Sequence, residues 1–342
     1  MNPVPLMQPV TTVVPITSLT KLGTSGLRVS RIGLGLASLG RPAYMAWGRD
    51  ADLGADRSIR AMRCRCYALL DAARAAGVRY VDTARSYGLA EQFLSAWCDD
   101  RRLPAGGLTV GSKWGYVYTG SWQRHARVHE VKQLTLETLR QQAMESRVIL
   151  GPRLSLYQIH SATIESGVLD DRGVLTELAR LRHSGLRIGL TVTGPRQADT
   201  IRRAIEIQLD GVPLFQTVQA TWNLFEPSAG PALVDASAAG YGVIVKEVLA
   251  NGRLTDRYGG PALSPLRARA KELETHVETL AVAAALAQPW ADVALSGAVT
   301  VEQLETHLAA PFLSESESAG GLESIAEPAD VYWRKRGAML WT

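Results

Sequence analysis

Apolar, β-favouring runs recur along the chain at 27–36, 78–84, 108–113, 154–160, 186–194, 214–223, 241–249 and 292–298. Between them, apolar positions return at helical spacing over Cys66–Ala76, Val131–Ser146, Val174–Arg182, Gln197–Gln208, Ala232–Ala239 and Lys271–Ala285. Gly77 and Gly240 stand just past two of these stretches, where a helix closes on a left-handed residue. Strands alternating with helices in this way predict an α/β protein of the (β/α)8 TIM-barrel type. The rival is a doubly wound sheet, which wants a Gly-x-Gly-x-x-Gly turn after its first strand. Gly33-x-Gly35 followed by Gly40 misses that spacing.

A short β-hairpin is expected before the first barrel strand, with Lys21-Leu22 and Leu27–Val29 joined through Gly-Thr-Ser-Gly. Residues 1–20 read as an extended or disordered arm, 21–311 as one barrel domain, and 312–342 as a tail packing on the barrel. Loop 40–57 follows the first strand and carries Tyr44 and Trp47, which either line a pocket or pack a surface cover.

Composition narrows the class. With 342 residues, 46% of them apolar, the chain can bury one large core. Net charge is +4 and the pI about 9.0. The basic excess is spread along the chain, and Arg60, Arg63 and Arg65 read as the solvated face of a helix, so no nucleic-acid partner is expected. Cys64, Cys66 and Cys98 form no disulfide framework and no zinc spacing, which points to a reducing compartment and no metal. No run is long and apolar enough to span a membrane, and the first residues make a poor signal peptide. The expected location is therefore the cytoplasm.

The chemistry concentrates in VDTARSYG (81–88), VGSKWG (110–115) and LYQIHS (156–161). Each lies at or just past a strand end, so Asp82, Tyr87, Lys113 and His160 are expected on one face of a parallel barrel. A phenol normally ionises near pH 10, and a neighbouring ammonium lowers that value. A carboxylate fixes the ammonium, and an imidazole can bond the substrate oxygen. Such a set suits general acid catalysis on a carbonyl.

These segments, together with GLTVTG (189–194), QATWNL (219–224), VLANGRLTDRY (248–258) and SGAVTVEQL (296–304), resemble the aldo-keto reductase superfamily over about residues 21–310. The resemblance implies a catalytic tetrad of Asp82, Tyr87, Lys113 and His160, with Tyr87 as proton donor, Lys113 and Asp82 tuning it, and His160 orienting the carbonyl. It implies nicotinamide-cofactor contacts at Gly35, Leu36, Asp82, Thr191, Gln219, Val248, Leu249, Gly252, Leu254, Arg257, Gly297, Val299, Gln303 and His307. Gln219 and Thr191 would meet the carboxamide, while Val192 stands where a polar residue is common. The 249–254 turn and Arg257 would meet the pyrophosphate. Trp222 lies just beyond Gln219 as a candidate ring neighbour. The substrate pocket is expected at Tyr44, Trp47, Trp114 and the C-terminal aromatics.

The resemblance favours NADPH, with NADH possible. No Lys or Arg occurs from 296 to 307, in the loop that would hold a 2′-phosphate, although Thr300 and the helix start could serve. The implied activity is NADPH-dependent reduction of an aldehyde or ketone. The alternative is an NAD(P)-dependent aldose or sugar dehydrogenase, and a third reading is a regulatory protein like the potassium-channel β-subunits. The partner is a small-molecule carbonyl or sugar, in a monomer or homo-oligomer.

Overall fold

A computed structural model describes residues 18–310 and 325–342. The expected arm, apart from its last residues, and the first part of the tail lie outside the described residues. Eight parallel strands close a barrel in sequence order: β1 (Ile32–Gly35), β2 (Tyr80–Asp82), β3 (Thr109–Trp114), β4 (Leu154–Ala162), β5 (Arg187–Val192), β6 (Thr217–Thr221), β7 (Gly242–Lys246) and β8 (Val293–Ser296). β8 pairs with β1 through Ala294 and Ile32, which closes the ring. Helices follow the strands outside, and the main core lies between the two layers.

The helix starts are written locally. Ser58 accepts from the Ala61 N–H ahead of Ile59–Ala75, Thr135 from Thr138 ahead of Leu136–Leu150, Asp171 from Val174 ahead of Arg172–His183, and Thr300 from Gln303 ahead of Val301–Leu308. Gly77 (φ 91°) and Gly240 (φ 85°) take the left-handed turn expected of them.

Several expected boundaries move, each for a local reason. The expected hairpin is present, with Arg28–Val29 paired to Thr20–Lys21, so run 27–36 divides and β1 begins only at Ile32. Ser30 makes the break, its hydroxyl donating to the Ile32 carbonyl and accepting from the Arg79 N–H. The helix expected from Val131 starts at Leu136, because Glu130–Lys132 pairs with Tyr116–Tyr118 as a second hairpin. The stretch Lys271–Ala285 is two helices, Ser264–Glu272 and Val277–Leu286, parted where Glu274 turns left-handed at φ 50°. Loop 40–57 contains a short helix, Arg49–Leu53. In the tail, Ala329–Gly337 is helical, and its Tyr332 is buried where it accepts from Asn223 Nδ2 at 3.0 Å.

Candidate active site

The C-terminal ends of the strands open onto a cavity of 370 Å³. Strand alternation decides which residues reach it, since successive side chains point to opposite faces. Lys113 points into the barrel, and the next residue, Trp114, points out and is fully buried in the core between strands and helices. Trp114 is therefore corrected from pocket wall to core. Leu36 is corrected for the same reason, being the outward neighbour of Gly35. Leu254 packs in a separate cluster with Phe225, Leu263 and Tyr332 and does not line the cavity. Trp222 packs edge-on against Trp290 with ring centroids 5.8 Å apart, which removes it as a ring neighbour.

The four residues read from the strand ends do converge. Lys113 Nζ donates to Asp82 Oδ1, to the Thr83 carbonyl at 2.9 Å and to Tyr87 OH at 3.2 Å. Tyr87 OH lies 3.5 Å from His160 Nε2, and the two rings meet edge-on. Tyr80 OH, Gln158 Nε2 and Gln219 Nε2 all donate to Asp82 Oδ2, at 3.2, 3.4 and 2.9 Å. The carboxylate thus accepts from four buried donors, one of them a cation, which is what lets a charge sit in a buried place.

Tyr87 rides on a turn held by close backbone contact. A Cβ at Gly40 would come within 2.1 Å of the Tyr87 carbonyl oxygen, and Leu89 N–H donates to Gly40 at 2.7 Å. Only glycine allows the two loops to approach so closely.

Burial changes one expectation about Tyr87. Burial, and then the Asp82 charge, push its phenol well above 10, with Arg41 opposing. The expected lowering by an ammonium is outweighed in this state, and the hydroxyl is held protonated. His160 is driven well below 6.5, first by burial and then by Lys113, so its ring is neutral near pH 7.

The cofactor residues named above line the cavity with two exceptions, Leu36 and Leu254. Gln219 and Thr191 sit at the floor, but both already have protein partners. Gln219 Nε2 bonds Asp82, which leaves its carbonyl oxygen as the end available to a carboxamide N–H, and Thr191 Oγ1 accepts from Ser161 N–H at 2.7 Å. Val192 faces the core while Thr193 lines the cavity. Two features fit an elongated polar ligand. Asn251 Oδ1 is buried without a partner on the cavity wall, and a Cβ at Gly297 would meet nothing within 4 Å. At the far end, Asp52 salt-bridges Arg257 and accepts from Gln303 Nε2 at 2.7 Å.

Tyr44 and Trp47 both border the cavity, Trp47 with more than half its side chain exposed. The C-terminal aromatics expected in the pocket wall, Tyr332, Trp333 and Trp341, do not line the cavity; the segment contributes instead through contacts at its edge. Thr342 and Tyr44 exchange backbone hydrogen bonds at 3.0 and 3.2 Å. Trp341 stacks on His129 at 4.4 Å and lies 4.6 Å from the Arg41 guanidinium carbon. Arg41 in turn salt-bridges Glu130 of the second hairpin at 2.6 Å.

Lys246, Glu247 and Arg336 also line the cavity and were missed. Arg336 grips Glu247 through both carboxylate oxygens, its Nε 3.0 Å from each. Despite burial, this pairing with Arg336 and then Lys246 holds the Glu247 carboxyl down at about 2. A signal for Lys246 was present: an ammonium ends β7 as Lys113 nears the end of β3.

Fold and site together define a parallel (β/α)8 barrel with a buried polar centre at its strand ends. The family model described as the aldo/keto reductase family matches residues 31–326, and the chain belongs to that family. Among solved structures, an aldo-keto reductase from Bacillus halodurans, in holo form, is similar with a TM-score of 0.70 and 20% identity, over 92% of this chain and 97% of that one. An aldo-keto reductase from Pseudomonas aeruginosa is similar with a TM-score of 0.62 and 23% identity, over 86% of this chain and 94% of that one. At these identities the likeness speaks for the fold alone. Among curated proteins there is no match. No helix among the described residues is long and apolar enough to cross a membrane.

Proposed function

We propose that the chain interconverts a carbonyl and an alcohol on a small aldehyde, ketone or sugar, with Tyr87 moving the proton. The observation that carries this reading is Tyr87 OH standing 3.2 Å from the Lys113 ammonium and 3.5 Å from His160 Nε2 at the cavity floor. A nicotinamide dinucleotide, when bound, supplies or accepts the hydride. In the reductive direction the substrate oxygen would lie between Tyr87 OH and His160 Nε2. The neutral imidazole, as its Nε2–H tautomer, donates to that oxygen and orients it. Tyr87 then gives up its proton, and the phenolate left behind is stabilised by the adjacent ammonium. Asp82 keeps Lys113 in place, and Tyr80, Gln158 and Gln219 keep Asp82 in place.

Gln219, Thr191, Asn251 and the backbone at Gly35 and Gly297 would hold the dinucleotide. Family resemblance points to NADPH. A specific observation favours NADH: Asp52 accepts from Gln303 Nε2, so a carboxylate stands against the loop that would hold a 2′-phosphate, where it would repel that group. Thr300 is spent as a helix cap. Tryptophan-fluorescence titration with both reduced cofactors is expected to show NADH binding at least as tightly as NADPH. Much tighter NADPH binding would reverse the preference.

Tyr87→Phe tests the proton role. Turnover is expected to fall by about 10³-fold or more, with the dissociation constant for cofactor within about threefold of the parent. Undiminished turnover would remove Tyr87 from the reaction.

A further inference from the structure

The cations around the cavity are nearly all committed. Arg41 holds Glu130, Arg257 holds Asp52, and Arg336 holds Glu247. Arg49 is spent on the main-chain carbonyls of Ser38, Arg41, Pro42 and Thr342. Lys246 differs. Its ammonium donates to Thr221 Oγ1 at 2.9 Å, and the carboxylate oxygen paired with it, on Glu247, is 3.9 Å away and already gripped by Arg336.

The position of that ammonium matters. Thr221 pairs with Lys246 across β6 and β7, and Gln219 is two residues before Thr221 on the same strand face. Two residues along a strand span about 6.6 Å. Gln219 and Lys246 both line the cavity, so a ring whose carboxamide rested on Gln219 would feel the Lys246 ammonium at a separation on the order of 7 Å.

We propose that Lys246 tunes the redox poise of the bound nicotinamide, destabilising its oxidised, positively charged form relative to its neutral reduced form and so favouring alcohol oxidation on the protein. This rests on the reading above that a nicotinamide cofactor binds at Gln219 and Thr191. In that direction the alcohol C–H bond breaks with its electron pair passing to the nicotinamide. For this the Tyr87 phenol first gives its own proton to solvent, leaving a phenolate beside the Lys113 ammonium; the alcohol O–H bond then breaks with its proton passing to that phenolate oxygen, and the carbonyl is left. The overall equilibrium in solution is unchanged; the bound complexes are shifted. Unit charges about 7 Å apart at an effective dielectric of about 20 bias an equilibrium roughly fiftyfold. Glu247 offsets part of this, so about tenfold is expected. Lys246 is 15% exposed, into the cavity, and burial moves its own value down to about 8, which leaves it mostly charged at pH 7.

The test is the ratio of dissociation constants for NAD⁺ and NADH, read by quenching of tryptophan fluorescence in the full-length protein at pH 7. Lys246→Met is expected to lower the ratio about tenfold, chiefly by tightening NAD⁺. Lys246→Arg, which keeps the charge, is expected to leave it within about threefold of the parent. A ratio in Lys246→Met within twofold of the parent overturns the proposal while the cofactor reading stands. An equal fall in both variants overturns it in favour of packing. Binding of neither nucleotide to the parent protein refutes the underlying cofactor reading, and the proposal with it.

Discussion

Replacing Lys113 with methionine tests the core of the reaction most directly. The side chain keeps nearly the same volume and loses its charge. In the parent the ammonium lies 3.2 Å from the Tyr87 oxygen, which under the proposed mechanism would become a phenolate. Opposite unit charges at that separation, with an effective dielectric of about 20, attract by about 5 kcal/mol. Tyr87 is neutral before proton transfer, so this attraction acts on the transition state far more than on the ground state. About 5 kcal/mol corresponds to between about 10³ and 10⁴ in rate.

Asp82 complicates the change in a useful way. Without Lys113 it keeps Tyr80, Gln158 and Gln219 as donors but loses its cation. Breaking one side of a buried pair costs about 3–5 kcal/mol of stability. The assay is therefore single-turnover cofactor oxidation at saturating substrate, with thermal unfolding run beside it. The double variant Asp82→Asn/Lys113→Met removes both charges and is expected to recover much of the stability while staying slow. A folded Lys113→Met protein within tenfold of the parent rate would refute the electrostatic role of the ammonium.

Two further outcomes follow from particular contacts. Burial lowers the pKa of His307 from 6.5 to about 4, and its Nδ1 sits 2.7 Å from Ser296 Oγ. The unfolded chain takes up that proton first, so stability is full above pH 6.5 and falls by about 3 kcal/mol as pH drops towards 4; urea titrations across that window are expected to show a shallower slope in His307→Gln. Gly40→Ala would place a methyl 2.1 Å from the Tyr87 carbonyl oxygen. The displaced turn is expected to cost about 100-fold in kcat and about 1–3 kcal/mol in stability, and a Gly40→Ala enzyme with parental kcat would show that the turn does not position Tyr87.

The sequence alone determined the barrel and the four residues of the candidate site, and the reason is local. A strand end is marked by an apolar β run giving way to polar residues, so Asp82, Lys113 and His160 could be placed before any tertiary contact was known. Once the strands are parallel and neighbouring, their ends must meet on one face. Helix caps such as Ser58, Thr135 and Asp171 are likewise short-range.

Tertiary structure decided what depends on distance along the chain. Asp52 reaches Gln303, and Arg336 reaches Glu247. Thr342 closes on Tyr44. No periodicity encodes such pairings, because they are set by where loops land after the barrel has closed. The same holds for side-chain direction: Trp114 was expected in the pocket wall and Trp222 beside the cofactor ring, and strand parity and packing turned both into core. It holds for Tyr87 as well, where the charges and apolar surface gathered around it outweigh the single ammonium that its motif suggested. The residue types were legible from the start, but their electrostatic environment is a property of the folded chain.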